Sequence, residues 1–134
     1  MMKQVSIFAE NTKGAMQAVT AVLNESGINI MGMVTNDSAE YGIIRMVVDD
    51  PDGALRALKE RGYVCKTQSV LGVEIADKVG ALDELLLSLA DSNINVNYIY
   101  ISYNRQSAAP IIILHTEDIA EVESCLISGG FKVY

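Results

Sequence analysis

One histidine, two cysteines and seventeen carboxylates are the groups in this sequence of 134 residues that could carry acid–base, nucleophilic or metal chemistry. His115 stands alone at the end of the apolar run Ile111-Ile112-Ile113-Leu114. Its expected role is to cap the helix that follows. Cys65 and Cys125 lie far apart, with no CxxC or Cys/His spacing, so a zinc site is not expected. Cys65 falls in an apolar strand-like stretch and Cys125 in a helix-like one, so both are expected to be buried, inert thiols. No carboxylate pair has a spacing that sets it across one reacting bond. No G-x-S-x-G, Walker or G-x-G-x-x-G pattern occurs. Neither catalysis nor a cofactor is expected.

The chemistry that the sequence does offer comes from the backbone. Asn11-Thr12-Lys13-Gly14-Ala15 and Asp77-Lys78-Val79-Gly80-Ala81 each read as a polar loop that opens a helix. A helix start presents free N–H groups and the positive end of the dipole, which suits a carboxylate. Gly14 and Gly80 let a ligand approach the backbone closely. They would equally serve a tight strand-to-helix turn, and both readings are open. A second recurring element is Gly27-Ile28-Asn29-Ile30 against Asn93-Ile94-Asn95-Val96. An asparagine amide can accept from an ammonium and donate to a carboxylate, or it can bond its own backbone in a turn.

The elements that must position these groups come as two copies of one unit. At an offset of 66 residues Gly14-Ala15 falls on Gly80-Ala81, Leu23 on Leu89, Ser26 on Ser92 and Ile28-Asn29 on Ile94-Asn95. Apolar character matches between these anchors, as in Val5/Leu71, Ile7/Val73 and Val19/Leu85. In the first copy Val5, Ile7 and Ala9 alternate as a strand. Ala15, Val19, Val22 and Leu23 follow at helical spacing, and Gly27 closes that helix. Strands are expected from Ile30 to Thr35 and from Tyr41 to Val48, with a turn over 36–40 between them. Asp50-Pro51 starts a second helix that ends at Gly62, and Tyr63 to Gln68 is a fourth strand. The second copy predicts strand 70–76, helix 80–92, strands 95–104 and 109–115, helix 117–128 and strand 131–134, with Ser69 joining the copies. The expected fold is α+β. It consists of two ferredoxin-like βαββαβ units, 1–68 and 69–134, each an antiparallel sheet with helices on one face.

Composition narrows the partners. Half the residues are hydrophobic and 20% are charged, which excludes a disordered chain. The net charge of -7 argues against nucleic acid. Residues 69–134 carry most of that acidity, with nine acidic groups against three basic. The longest apolar run, Ala108 to Leu114, is far too short to span a membrane. Met1-Met2-Lys3-Gln4-Val5 opens without a long apolar segment, so no secretory leader and a cytoplasmic location are expected.

The paired loop-glycine-helix and Gly-Ile-Asn-Ile elements, in this element order, resemble the ACT domain, present twice and covering essentially the whole chain. The resemblance implies a regulatory module of amino-acid metabolism that binds a small molecule, typically a free amino acid, at the interface of paired domains. It implies a ligand contact from the loop polar residue, Asn11 or Asp77. A second contact, from Asn29 or Asn95, would come from a neighbouring unit. The candidate binding set is therefore Asn11, Lys13, Gly14, Ala15, Asn29 and Ile30 in the first copy. In the second copy it is Asp77, Val79, Gly80, Ala81, Asn95 and Val96. Lys13 and Val79 stand where the family often has proline. Ala9 and Ile75 stand where some serine-binding members have histidine. Tyr98 and Tyr100 share one strand face, with no aromatic counterparts at Met31-Gly32-Met33-Val34, so the two sites are expected to be unequal. A sheet covered on one side only predicts a homo-oligomer, most simply a dimer. The alternative function is an interaction module that regulates a partner metabolic enzyme without a ligand of its own.

Overall fold

The computed structural model describes residues 1–35 and 41–134. The turn expected over 36–40 lies outside the described residues. The chain forms two compact units, Lys3–Gln68 and Ser69–Tyr134 with Met1–Met2. Each has the ferredoxin-like βαββαβ order.

The first unit contains β1 (Met2–Glu10), α1 (Ala15–Glu25), β2 (Ile30–Thr35), β3 (Tyr41–Val48), α2 (Pro51–Glu60) and the opening of β4 (Val64–Glu74). Its strand order is β2-β3-β1-β4. β1 pairs antiparallel with β3, setting Val5 opposite Met46 and Ile7 opposite Ile44. Alternation then puts all four on one face, where they are buried with Val19, Val22 and Leu23 of α1 and Ala54 and Leu58 of α2. The other parity of β1 is buried too. Gln4 Nε2 donates to Ser6 Oγ at 3.0 Å, and that hydroxyl donates to Gln68 Oε1 at 3.1 Å. These polar groups therefore avoid the penalty of burial without a partner.

The second unit contains the rest of β4, α3 (Ala81–Asp91), β5 (Tyr98–Tyr103), β6 (Pro110–His115), α4 (Ile119–Ser128) and β7 (Lys132–Val133). β4 pairs antiparallel with β6 and with β7, and β5 pairs with β6. Leu71 faces Leu114 and Val73 faces Ile112, and these four pack with Leu85, Leu89, Val122 and Leu126 of the helices.

Several boundaries differ from the sequence reading. The strands expected on either side of Ser69 are one strand, β4, because nothing between Val64 and Leu71 breaks an extended backbone. β5 begins at Tyr98 rather than at 95, where Asn97 N–H already bonds His115 O at 2.9 Å. α4 begins at Ile119 rather than 117. β7 starts at Lys132 because Phe131 N–H closes α4 on Leu126 O at 3.1 Å. The first helix of each copy ends in the same way. Ile28 N–H bonds Leu23 O and Ile94 N–H bonds Leu89 O, both at 2.9 Å. Gly27 supplies the left-handed residue in one copy (φ 67°) and Asn93 in the other (φ 57°).

α2 starts as expected. The Asp50 carboxylate accepts from Gly53 N–H at 3.0 Å, and Pro51 follows at the first helical position. Asp50→Ala is expected to cost about 1 kcal/mol, read as a lower midpoint in urea unfolding at unchanged slope.

A long-range polar cluster fastens the β5–β6 turn of the second unit. Glu74 Oε1 accepts from Asn104 Nδ2 at 2.8 Å and from Tyr134 Oη at 3.0 Å. Lys132 Nζ lies 3.8 Å from the same carboxylate. Asn104 Oδ1 in turn accepts from Gln106 and Ser107 N–H, at 2.9 and 3.2 Å. The Asn104 bond first, then the Tyr134 bond and the Lys132 charge, hold the Glu74 carboxyl below the usual carboxylate range despite partial desolvation. A carboxylate whose folded pKa is depressed stabilises the fold above its unfolded pKa, and that contribution disappears as pH falls through the folded value. The thermal midpoint is therefore expected to fall on acidification, beginning within the ordinary carboxylate range and continuing below it. Glu74→Gln should flatten that part of the profile, and an unchanged profile would remove Glu74 from the account.

Candidate functional site

The two helix starts singled out by the repeat have the same backbone geometry. In the first copy Thr12 N–H donates to Glu10 O at 2.9 Å, Ala15 N–H to Thr12 O at 3.2 Å and Ala18 N–H to Gly14 O at 3.0 Å. In the second, Lys78 N–H donates to Ala76 O at 3.0 Å, Ala81 N–H to Lys78 O at 3.3 Å and Glu84 N–H to Gly80 O at 2.9 Å. Gly14 has φ 82° and Gly80 φ 90°, in the left-handed region where a side chain is strained. Among the described residues crowding is not the reason for either glycine, since none of their atoms lies within 4 Å of where a Cβ would stand.

The cap residues of α1 and α3, Gly14 and Gly80, have no side chain to make a capping bond. The amides of Met16 and Gln17, and of Leu82 and Asp83, have no hydrogen-bond partner among the described residues, so both helix starts keep donors to offer. Their electrostatics differ. α1 has no acidic residue in its first turn, and exposed Lys13 precedes Gly14. α3 carries Asp83 and Glu84 in its first turn, and fully exposed Val79 stands in place of the lysine. An anion is favoured at the first start and opposed at the second.

Surface shape separates the copies in the same sense. A cavity of about 90 Å³ at the start of α1 is lined by Asn11, Thr12, Ala15, Met16, Thr35 and neighbours. An open groove of about 570 Å³ runs beside it past Thr12, Gly14, Met16, Gln17, Thr20 and Met33. In the second copy Asp77 and Gly80 are exposed and Ala81 is buried against the core.

The asparagines sit elsewhere. Asn29 lies beyond the far end of α1, where its N–H donates to Asp49 Oδ1 at 3.0 Å and its carbonyl accepts from Asp49 N–H at 3.1 Å. Ile30 pairs with Val48 at the start of β2. The 11 residues of α1 correspond to roughly 16 Å of helix. Within one unit, Asn29 and Ile30 are therefore not brought to Asn11, Gly14 and Ala15. Asn95 lines a different cavity, between the end of α3 and the start of α4, and Val96 packs partly buried against the second core.

His115 does not cap α4. Its ring stacks on Tyr98 (centroids 5.2 Å apart, planes 5° apart), and Nδ1 lies 3.0 Å from Asn97 Oδ1. Antiparallel pairing of His115 with Tyr98 places the two rings side by side, which takes the imidazole away from the helix. Cys65 is buried as expected, and burial pushes its thiol up despite the opposing charge of Lys59. Cys125 is only half-buried, with Sγ 3.4 Å from Ser92 Oγ, so the expectation of full burial fails there. Neither forms a disulfide. No His, Cys, Asp or Glu group among the described residues could hold a metal ion. No helix among them is long and apolar enough to cross a membrane.

Sequence reasoning passed over the corner made by Thr116, Glu117, Asp118 and Glu121. The available signal was Asp118, a cap-type residue without the proline that follows Asp50.

No curated protein sequence matches the chain. Among solved structures, the crystal structure of protein BT0572 from Bacteroides thetaiotaomicron is similar, with TM-score 0.90 and 28% identity, covering 99% of this chain and 91% of that one. The regulatory subunit of aspartate kinase from Thermus thermophilus, in its ligand-free form, is similar with TM-score 0.65 and 14% identity, covering 94% and 90%. That from Thermus flavus gives TM-score 0.63 and 18% identity, covering 92% and 86%. At those identities the two kinase subunits speak for the fold alone. The sequence pattern of the family described as the ACT domain pair matches residues 1–131. With that match spanning both copies, the chain belongs to the ACT domain pair family.

Proposed function

We propose that this chain is a non-catalytic, small-molecule-binding regulatory protein whose ligand is a free amino acid. The ligand carboxylate sits at the start of α1. The observation that carries this reading is the unsealed helix start. The amides of Met16 and Gln17 have no partner among the described residues, Gly14 holds the turn open, Lys13 adds positive charge and the first turn has no acid to repel the ligand. Asn11, which lines the adjoining cavity, is the loop side chain for the ligand's polar groups. Asn29 and Asn95 lie too far from the helix start of their own unit to serve it. Their contact is supplied by a second copy of the chain, in the homodimer that accompanies this reading. The second start, with Asp83 and Glu84, is the weaker of the two.

Thermal-shift measurements of the full chain with each of the twenty amino acids test the proposal. Ligand at about a hundred times Kd stabilises by roughly 2.7 kcal/mol, which is visible as a raised midpoint. One amino acid or a small related group should raise it, and calorimetry should then give saturation. A folded sample that responds to none of the twenty would overturn the reading. In that case a pull-down that recovers a metabolic enzyme, insensitive to amino acids, would favour the interaction-module alternative.

A further inference from the structure

We propose that the amino acid whose carboxylate the α1 start holds, on the reading above, carries a bulky, uncharged apolar side chain seated in the groove past Met16 and Met33. Charge divides the hollows around that helix start. The small cavity carries Asn11 and the carboxylate of Glu10, and Glu10 forms no ion pair among the described residues. That polar lining suits the ligand's ammonium group. A hollow of about 330 Å³ past Phe8, Tyr63 and Val64 carries Glu10 as well. The groove of about 570 Å³ is different, because no charged residue lines it among those described. It shares Thr12 and Met16 with the small cavity and reaches Gly14, so it continues directly from the helix start. A charged ligand side chain would give up hydration there with no opposite charge in return.

The lining itself is adaptable. Met16 is 46% exposed, an apolar side chain left half out beside Gly14. Met33 adds to the lining from β2. Methionine is unbranched and polarisable, and it fits partners of different shape. Thr20 Oγ1 donates to Gln17 O at 2.9 Å, so its hydroxyl proton is spent within the helix.

The second copy turns the same positions inward. At the 66-residue offset Met16, Thr20 and Met33 correspond to Leu82, Leu86 and Ile99, and all three pack against the second core. Apolar surface is left open in the copy whose helix start favours an anion.

Calorimetry on the full chain with leucine, methionine, glycine, aspartate and lysine tests this. Each buried methylene is worth roughly fourfold in affinity. Leucine and methionine, half covered by the groove, are therefore expected to bind about tenfold more tightly than the other three. Thr20→Asp puts a charge into the groove and should lower the leucine-to-glycine affinity ratio about fivefold or more. The ratio cancels any effect of the new charge on the carboxylate that both ligands share. Circular dichroism establishes that the variant is folded, and the comparison on the parent chain decides even if it is not. If glycine, aspartate or lysine binds as tightly as leucine, the proposal fails while amino-acid binding at α1 stands. If none of the twenty amino acids binds, both fail. An unchanged ratio in folded Thr20→Asp would take the ligand side chain out of the groove. Sedimentation showing that this variant also falls from dimer to monomer would give the groove to a second copy of the chain instead.

Discussion

Leu85→Ala is expected to destabilise the second unit by about 3 kcal/mol, within the range of roughly 2–5 kcal/mol for truncating a buried leucine. Leu85 is fully buried in the middle of α3, packed in the cluster that includes Leu71, Val73, Ile112 and Leu114. Its removal costs both the transfer of the lost methyl groups from water and the cavity they leave. Against a total stability on the order of 5–15 kcal/mol, this is a large fraction, and the thermal midpoint should fall by about 10 °C or more. Leu87 on the same helix is the control. It is 56% exposed, and its alanine variant is expected within about 0.5 kcal/mol of the parent. Urea unfolding followed by circular dichroism separates the two. Equal effects would mean that α3 does not present the face described.

Gln17→Asp is expected to weaken amino-acid binding at least tenfold while leaving the ligand-free fold as stable as before or slightly more so. Gln17 occupies the position in α1 that Asp83 occupies in α3. The substitution therefore makes the first helix start resemble the second. An acid in the first turn interacts favourably with the helix dipole, worth about 0.3–1 kcal/mol. The same charge repels a bound carboxylate, and tenfold corresponds to about 1.4 kcal/mol. The opposite signs separate a binding effect from unfolding. The measurement is calorimetry with whichever amino acid gives the largest thermal shift, beside a thermal scan without ligand. Affinity unchanged by Gln17→Asp would remove the α1 amides from the site. The reciprocal variant, Asp83→Gln with Glu84→Ala, is expected to strengthen binding at the second start.

The fold was largely legible because it is written in local periodicity and then written again. The alternation of Val5, Ile7 and Ala9 and the spacing of Val19, Val22 and Leu23 specify a strand and a helix on their own. Leu71, Val73, Leu85 and Leu89 repeat the pattern. The missed joint at Ser69 follows from the same logic. A serine between two strand-like runs does not say whether the chain turns, and here it does not. The Glu74–Asn104–Tyr134 cluster joins residues far apart in the chain, and no spacing announces it. Asp50 and Asp118 show a further limit. Both precede helices, yet only the one followed by proline caps. The left-handed glycines were visible as a repeated pair, but whether their helix amides are sealed depends on where loop side chains fall, and spacing does not encode that.

Unequal charge at the two helix starts has a consequence for the solution in which the protein works. Asp83 and Glu84 are exposed, so their influence on an incoming anion is open to small mobile ions. The screening length is about 8 Å at 0.15 M ionic strength and shrinks to about 3 Å at 1 M. Dilute buffer should make the halves of the chain most dissimilar, with one molecule captured per polypeptide. Concentrated salt should narrow that gap and draw the measured stoichiometry toward two.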